Sequence, residues 1–229
     1  MKHLLIDADL LVYRSCTTEA EATVEDCCNF FDSVLDFILW ELLDFPSQDD
    51  YTLYLSGKNN FRKELYPDYK ANRKGPKPPN FAEVSAYVAS LPNCVVCDGY
   101  EADDGISIAA HRRGFKNVII VSSDKDYKQL PVEIYNTYHW KRETITKAEA
   151  RLNLWTQVLT GDYVDNIKGC KGIGPKKAHN LLKGLSKEDD YKRAVWEAFM
   201  DADPINGDQD FAKAYRLVKL LSTEKELTC

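Results

Sequence analysis

The fold is indicated by the stretch Val118-Ile-Ile-Val121-Ser-Ser-Asp124, a short β-branched run that ends at a carboxylate. A second run, Leu4-Leu-Ile6, leads directly into Asp7, and a third, Cys94-Val-Val-Cys97, is followed four residues later by Glu101. Short runs of this kind, separated by longer helical patterns, are typical of parallel strands buried on both faces. We therefore predict an α/β fold with a mostly parallel central sheet flanked by helices.

Acidic residues are concentrated at these strand ends and at one later point of the chain. The groups are Asp7 with Asp9, Glu101 with Asp103 and Asp104, Asp124 with Asp126, and Asp162 with Asp165. Carboxyl ends of parallel strands share one edge of a sheet, so the first three groups are expected to meet there. Two unit charges ~4 Å apart repel by roughly 4 kcal/mol at an effective dielectric near 20. Such a cluster calls for divalent cations, and oxygen ligands favour Mg²⁺ or Mn²⁺. The alternative is that each acid only caps a helix, which is common for Asp, and for Asp9 both interpretations stay open.

Length and composition are typical of an ordinary enzyme. The 229 residues suit an α/β core over residues 1–144 and a smaller helical region over residues 145–229. We find no signal peptide and no apolar run near the ~20 residues that span a bilayer, so we expect a cytoplasmic protein without a membrane partner. The odd count of seven scattered cysteines indicates reduced thiols. On a helix predicted over residues 24–45, Phe37 and Trp40 are assigned to the core.

Basic residues are unevenly distributed although the net charge is −6. Residues 57–77 carry seven Lys or Arg against two acids, and aromatic residues alternate with them. Aromatic side chains stack on bases and basic side chains pair with phosphates, so this composition is typical of nucleic-acid binding. Lys70 and Arg73 lie three apart and are expected on one face of a helical turn. A solvated surface is the alternative for this segment.

A second basic segment, residues 168–187, contains six lysines and no acid. It includes Gly169-Cys-Lys-Gly172-Ile-Gly174-Pro175, a glycine-rich hairpin that is predicted to enter a helix at about Pro175. The Walker and dinucleotide patterns are not matched. Amides at such a turn and the helix N-terminus suit phosphate, so we predict a helix-hairpin-helix motif over about residues 165–185 that holds a nucleic-acid backbone.

These blocks together resemble the flap endonuclease and 5′→3′ exonuclease family, especially its short bacteriophage-type members. The chain is similar also to the 5′-nuclease domain of bacterial DNA polymerase I. The blocks that carry the resemblance are Ile6-Asp7-Ala-Asp9, Tyr69-Lys70-Ala-Asn-Arg73, Glu101-Ala-Asp-Asp104 with Asp124-Lys-Asp126, and Asp162-Tyr-Val-Asp165 before the glycine hairpin.

The resemblance implies a PIN-like nuclease core with two metal ions, Mg²⁺ or Mn²⁺. The implied metal ligands are Asp7, Glu101, Asp103, Asp104, Asp124 and Asp126 for the first and shared positions, and Asp162 and Asp165 for the second. Lys70 matches the catalytic lysine of an arch or clamp segment over about residues 57–91, with Tyr69 stacking on a base and Arg73 steadying the phosphate. The implied DNA contacts are Arg62, Lys63, Lys74, Lys171, Gly172, Gly174, Lys176 and Lys177, and relatives often add K⁺ at the hairpin.

The expected function is a divalent-metal-dependent 5′→3′ exonuclease or flap endonuclease on DNA, in primer removal or DNA degradation during replication. One departure from the family pattern is Ser56, which occupies a position that is usually acidic. RNase H-like cleavage of RNA–DNA hybrids and a non-catalytic DNA-structure-binding protein stay open as alternatives. A toxin-type RNase of the related PIN fold would explain neither the Tyr69-Lys70…Arg73 block nor the hairpin. A monomer is expected.

Overall fold

A six-stranded sheet forms the centre of the protein in this computed structural model, which describes residues 2–17, 21–73 and 75–228. The strand order is β3-β2-β1-β4-β5-β6, with the first five strands parallel and β6 antiparallel to β5. The strands are β1 His3–Asp7, β2 Tyr51–Asn60, β3 Cys94–Gly99, β4 Val118–Val121, β5 Glu133–Asn136 and β6 Lys141–Thr144. The predicted mostly parallel sheet is confirmed, and β1 lies at its centre with Ile6 beside Leu53 and Val121.

Helices cover both faces of the sheet. The helices are α1 Ala8–Ser15, α2 Val24–Leu42, α3 Phe61–Leu65, α4 Phe81–Ala89, α5 Ala102–Arg113, α6 Lys147–Thr160, α7 Pro175–Leu182, α8 Glu188–Ala202 and α9 Gly207–Val218. Buried residues of α1, α2 and α4 pack on one face, while those of α5 pack on the other. Alternating side chains of β1 enter both cores, Leu4 and Ile6 on the first face and Leu5 on the second. This two-sided burial is why the strands are apolar without interruption.

One helix departs from the predicted burial. Helix α2 buries Phe31, Leu35 and Ile38 against the sheet, at the spacing of one helical face. Phe37 and Trp40 lie on its outer side and are exposed. The prediction that both belong to the core was wrong, because the helix is covered on one side only.

The predicted helical turn around Lys70 is absent. Between α3 and α4, residues 67–72 form turns, and Lys70 has a left-handed backbone with φ of 61°. Its amide donates to the carbonyl of Asp165 at 2.9 Å, which fixes this segment against the helical region. Lys74 lies outside the described residues.

The helical region begins at α6 and contains its own core, in which Trp155 is buried. A short antiparallel pair, β7 Gly161–Asp162 and β8 Ile167–Lys168, separates α6 from α7. The predicted start of a helix at Pro175 is confirmed. The division of the chain at residue 144 stays a prediction.

The chain after α9 returns to the α/β core. Leu220 packs with the core between α5 and the sheet, and Leu221 packs with Phe61. We call residues 217–221 the return segment. It is held by buried polar contacts as well, since Gln129 donates to the carbonyl of Val218 at 3.1 Å and accepts from the amide of Leu220 at 2.9 Å.

Two further expectations concern the whole chain. The six cysteines for which the structure gives a state, Cys16, Cys27, Cys28, Cys94, Cys97 and Cys170, are free thiols. Among the described residues, none of the helices has the length and apolar character needed to cross a membrane.

Candidate metal and nucleic-acid site

Two acids at the carboxyl edge of the sheet have a double role. The carboxylate of Asp7 accepts from the amide of Leu10 at 3.3 Å and so caps α1, while the hydroxyls of Ser122 and Tyr127 donate to it at 2.9 and 3.3 Å. Asp124 likewise accepts from the amide of Asp126 at 2.9 Å, at the start of a 3-10 helix. Capping and clustering are therefore compatible, because the caps orient both carboxylates at the edge.

Asp126 and Asp162 lie next to each other and are joined by an amide. The side-chain nitrogen of Gln157, on α6, is 2.7 Å from Asp126 Oδ1 and 3.5 Å from Asp162 Oδ2. Lys125 Nζ is 2.8 Å from the same oxygen of Asp162. A cavity of about 350 Å³ opens here, and its lining includes Asp124, Asp126, Asp162 and Asp165. The structure thus brings the acid groups from around residues 124 and 162 together.

Glu101 and Asp165 form the other side of the site. The side chains of Tyr69, Lys70 and Arg73, from the segment between α3 and α4, contact these two acids. Lys70 Nζ pairs with Glu101 and lies 3.9 Å from Asp165 Oδ2. Arg73 donates to Asp165 Oδ1 from Nη2 at 2.6 Å and from Nε at 3.1 Å. Lys70 and Arg73 therefore share one acid, although no helical turn places them there.

The predicted role of Tyr69 needs correction. Its side chain is 5% exposed and belongs to the core of the helical region, so its ring has no free face for a base. Its hydroxyl donates to Glu101 Oε2 at 2.7 Å and lies 3.2 Å from Asp165 Oδ2. Tyr69 therefore holds two acids in position.

Arg62 and Asp104 form a buried ion pair, which corrects two more predictions. Arg62 is 2% exposed and Asp104 is fully buried, and the guanidinium contacts both carboxylate oxygens. Asp104 Oδ1 also accepts from the amide of Leu221 at 3.0 Å, and Arg62 Nε donates to the carbonyl of Leu217 at 2.8 Å. All oxygens of Asp104 are thus directed to the protein interior and the return segment. Asp104 is a structural partner of Arg62 instead of a metal ligand, and Arg62 cannot reach DNA.

Three acids of the site are held in an environment that disfavours their charge. Burial, followed by the repulsion of Asp9, raises the pKa of Asp7 to about 7. Burial and the neighbouring Asp124 raise the pKa of Asp126 to about 6. Burial and adjacent carboxylates also raise the pKa of Asp103 well above its usual value. These carboxylates lack sufficient positive charge beside them, which is the condition that a bound cation relieves.

Two other acids have cations beside them. Burial acts to raise the pKa of Glu101, but Lys70 and Arg62 outweigh it and lower that pKa. The same holds for Asp162, whose pKa is lowered by Lys125 against the effect of burial. The site therefore contains both neutralised and unneutralised carboxylates.

The donor set fits divalent metal ions of the Mg²⁺ or Mn²⁺ type, because it consists of carboxylate oxygens with excess negative charge. Over residues 2–17, 21–73 and 75–228, no three acid, His or Cys side chains converge as they stand on one point that could hold an ion. In this arrangement Lys70, Arg73 and Lys125 pair with the acids. The side chains of Arg73 and Lys125 are more than half exposed. The predicted ligands other than Asp104 stay a prediction.

Ser56 has a structural role at the position that is usually acidic. Its hydroxyl oxygen accepts from the amide of Ala102 at 2.9 Å, at the start of α5. Its own amide donates to the carboxylate of Asp9 at 3.1 Å, so Asp9 is fixed to β2. Ser56 therefore supports the helix that carries Glu101 and Asp103.

The glycine hairpin presents an exposed basic surface. Gly172 has a φ of 77°, which favours glycine, and Gly174 precedes Pro175 at the first position of α7. Lys177 Nζ donates to the carbonyl of Gly172 at 2.8 Å, which closes the loop. The predicted DNA contacts that are exposed in the structure are Lys63, Lys171, Gly172, Gly174, Lys176 and Lys177.

Comparison with known proteins agrees with this geometry. Residues 2–155 match the family model described as 5′-3′ exonuclease, N-terminal resolvase-like domain. The chain belongs to the 5′–3′ exonuclease family. A 5′-3′ exonuclease of Mycoplasma pneumoniae is 30% identical over 207 residues, which cover 79% of this chain and 71% of that protein. A 5′-3′ exonuclease of Aquifex aeolicus is 34% identical over 178 residues, covering 69% of this chain and 60% of that protein.

Other relatives of this 5′–3′ exonuclease family member are larger. DNA polymerase I of Rhizobium leguminosarum is 36% identical over 172 residues, which cover 64% of this chain and 17% of the polymerase. The chain thus spans 17% of the length of this polymerase, 60% of the Aquifex exonuclease and 71% of the Mycoplasma exonuclease. Among solved structures, the T5 5′-exonuclease with divalent metal ions (zinc) bound has a TM-score of 0.67 at 16% identity, covering 96% of this chain and 100% of that one. The catalytic core of Rad2 in complex with DNA has a TM-score of 0.55 at 13% identity, covering 97% of this chain and 81% of that one. At these identities the likeness shows the fold.

The site contains residues that sequence reasoning missed. Gln157 joins Asp126 to Asp162, while Ser122 and Tyr127 orient Asp7. Ser122 stands directly after the β4 run, so its place at a strand end was a usable signal. Gln157 lies within a helix of ordinary amphipathic pattern, and the sequence contains no signal for its role.

Proposed function

We propose that this chain is a divalent-metal-dependent 5′→3′ exonuclease and flap endonuclease that hydrolyses DNA with two metal ions, in primer removal or DNA degradation during replication. The observation that carries the proposal is the meeting of four acid groups at one edge, with Lys70 between Glu101 and Asp165. A binding function alone gives no reason to place Asp7 beside Asp9 and Asp124, or Asp126 beside Asp124 and Asp162, since these carboxylates repel each other.

The acids divide between two places for metal. Asp7, Glu101, Asp103, Asp124 and Asp126 would hold the first ion and share its neighbour, and Asp162 and Asp165 would complete the second. When bound, divalent ions supply charge that activates water and stabilises the transferring phosphoryl group and its leaving oxygen. Gln157 keeps Asp126 and Asp162 at a fixed separation, since its amide contacts both.

Lys70 and Arg73 supply positive charge for the scissile phosphate. Each pairs with a carboxylate that a metal ion would otherwise engage. With metal bound to those acids, the ammonium of Lys70 and the guanidinium of Arg73 would be available to donate to phosphate oxygens. Tyr69 stays buried and keeps Glu101 and Asp165 oriented during this exchange.

The lysine-bearing hairpin would hold the duplex by the sugar-phosphate backbone of the DNA. Lys171, Lys176 and Lys177 are exposed around the amides that precede α7, and phosphate contacts of this kind position DNA without reading sequence. A K⁺ ion bound by the carbonyls of this turn would contact the same phosphate backbone of the DNA. Binding is therefore expected to weaken steeply with salt.

The test uses duplex, nicked and 5′-flap DNA labelled at either end, with Mg²⁺ or EDTA. We expect Mg²⁺-dependent release of 5′-end products that is lost in Asp126→Asn and falls at least about a hundredfold in Lys70→Ala. Asp190→Asn removes an exposed carboxylate of α8 and serves as the matched control with unchanged rate.

Two results would contradict the proposal. Structure-selective DNA binding without cleavage would indicate a non-catalytic binder. Cleavage confined to the RNA strand of an RNA–DNA hybrid would indicate the RNase H-like alternative.

A further inference from the structure

The surface around α2 has an unusual charge pattern that the nuclease site does not explain. Residues 15–57 contain ten Asp or Glu and no Lys or Arg. Asp36 and Glu41 are exposed on the outer side of α2, and Asp44 is exposed just beyond its end. This part of the molecule therefore presents a strongly acidic surface.

Large aromatic side chains lie within the same stretch. Phe37 is 50% exposed, Trp40 is 65% exposed and Phe45 is 84% exposed. Phe37, Trp40 and Glu41 have the i, i+3, i+4 spacing that places side chains on one side of a helix. Trp140 extends the apolar surface, because its ring packs edge to face on Phe37 with centroids 4.9 Å apart. We call Asp36, Phe37, Trp40, Glu41, Asp44 and Phe45 the acidic-aromatic face.

Exposed aromatic groups of this size mark interaction sites. Contiguous apolar surface is uncommon on proteins without a partner, and tryptophan is enriched among residues that dominate binding energy. The helix gains its stability from the opposite side, where Phe31, Leu35 and Ile38 are buried against the sheet. Phe37 and Trp40 are therefore available for another molecule without loss of the core.

The charge of the face determines which molecule fits. DNA and anionic lipid surfaces would be repelled by its carboxylates. A second copy in a two-fold arrangement would place identical acids opposite each other, which is unfavourable. A protein segment that alternates Lys or Arg with aliphatic side chains would satisfy both the acids and the rings.

We propose that the acidic-aromatic face is a docking surface for a basic amphipathic helix of a partner protein. Aliphatic side chains of that helix cover Phe37, Trp40 and Phe45, while its Lys or Arg residues pair with Asp36, Glu41 and Asp44. The face is built from α2 and the residues that follow it, and none of the acids assigned to metal belongs to it. Docking is therefore independent of the nuclease chemistry.

The test measures binding of fluorescein-labelled synthetic helices to the full chain by fluorescence anisotropy. The probe is an amphipathic peptide of Lys and Leu, compared with a peptide in which Ser replaces Leu and with a Glu–Leu peptide. We expect binding of the Lys–Leu peptide only, weakened about tenfold or more in the double variant Phe37→Ser with Trp40→Ala and in Glu41→Lys. Trp196→Ala, which removes a partly exposed tryptophan of α8, another helix with five acids, is the matched control with unchanged affinity.

Further measurements separate the possible outcomes. Amide hydrogen exchange on the wild-type complex is expected to show protection in α2, and DNA cleavage by the double variant is expected to equal that of the wild type. Equal binding of the Ser-containing peptide, or affinity unaffected by the double variant, would overturn the proposal. Sedimentation showing a dimer that Trp40→Ala dissociates would assign the face to a second copy and overturn it as well.

Discussion

Replacing Asp104 by Asn is predicted to destabilise the fold while leaving metal binding intact. Asp104 is fully buried and receives hydrogen bonds from Arg62 and from the amide of Leu221. The variant keeps one carbonyl oxygen but loses the negative charge. Arg62, 2% exposed, then loses its closest counter-charge and keeps only Glu101, whose Oε2 lies 3.7 Å from Nη1.

The expected loss can be worked from this geometry. Removing one partner of a buried ion pair costs about 3–5 kcal/mol, because the other charge stays desolvated. Asn retains an acceptor for Leu221, so we expect the lower end, about 3 kcal/mol. For a protein of this size, each kcal/mol lowers Tm by about 2–4 °C. Tm should therefore fall by about 6–12 °C.

The assay combines thermal unfolding with metal titration. Tm is followed by circular dichroism without divalent ions, and Mn²⁺ affinity is measured by calorimetry well below the Tm of the variant. Asp190→Asn controls for loss of an exposed acid, and Asp126→Asn serves as the comparison for loss of a metal ligand. We expect Asp104→Asn to change Tm but not the Mn²⁺ affinity.

The reasoning would be refuted by the reverse pattern. A Tm within 2 °C of the wild type, together with Mn²⁺ affinity as weak as that of Asp126→Asn, would show that Asp104 faces metal. Recovery of Tm by a second change of Arg62 to Met would support the ion-pair account, since Met removes the buried positive charge.

Three further predictions concern the acids. Ser56→Asp adds a carboxylate beside Asp9 and is expected to tighten Mg²⁺ binding severalfold by calorimetry, whereas Ser56→Ala should lower stability by about 1 kcal/mol through loss of a helix cap. Gln157→Leu is expected to weaken binding of the second Mn²⁺ ion in the same titration, and an unchanged second step would count against a positioning role. The pKa values of Asp7 (about 7) and Asp126 (about 6) are raised in the folded state, so the folded protein binds more protons than the unfolded chain above pH ~4. Metal-free stability should consequently fall from pH ~4 to pH ~7, and Mg²⁺ should raise Tm more at pH 8 than at pH 5; equal increments would contradict this.

The sheet and its acidic edge could be predicted because their signals are local. Each apolar run forms a strand, and an acid at the end of a strand, as at Asp7, has little choice of position. The different positions of Asp103 and Asp104 could not be predicted from the local sequence. They are neighbours on the first turn of α5, and Asp104 is buried by contacts with Arg62 and with the return segment, more than a hundred residues later.

The same limit applies to Tyr69 and Trp40. Tyr69 shares a motif with Lys70 and Arg73, yet its ring is buried by helices that follow much later in the chain. Trp40 is apolar and lies on an amphipathic helix, so periodicity assigned it to the core although no further layer covers that side. Burial of a single side chain depends on the tertiary partners, which sequence periodicity does not contain.

The return segment has a practical consequence for anyone who wishes to transplant the nuclease unit. The matched family model ends at residue 155, yet the carbonyl of Leu217 accepts a hydrogen bond from Arg62 and the amide of Leu221 donates one to Asp104. A fusion cut at residue 155 would expose the apolar surface under Leu220 and leave Arg62 without two of its carbonyl acceptors. The smallest portable unit that retains these contacts therefore extends at least to residue 221.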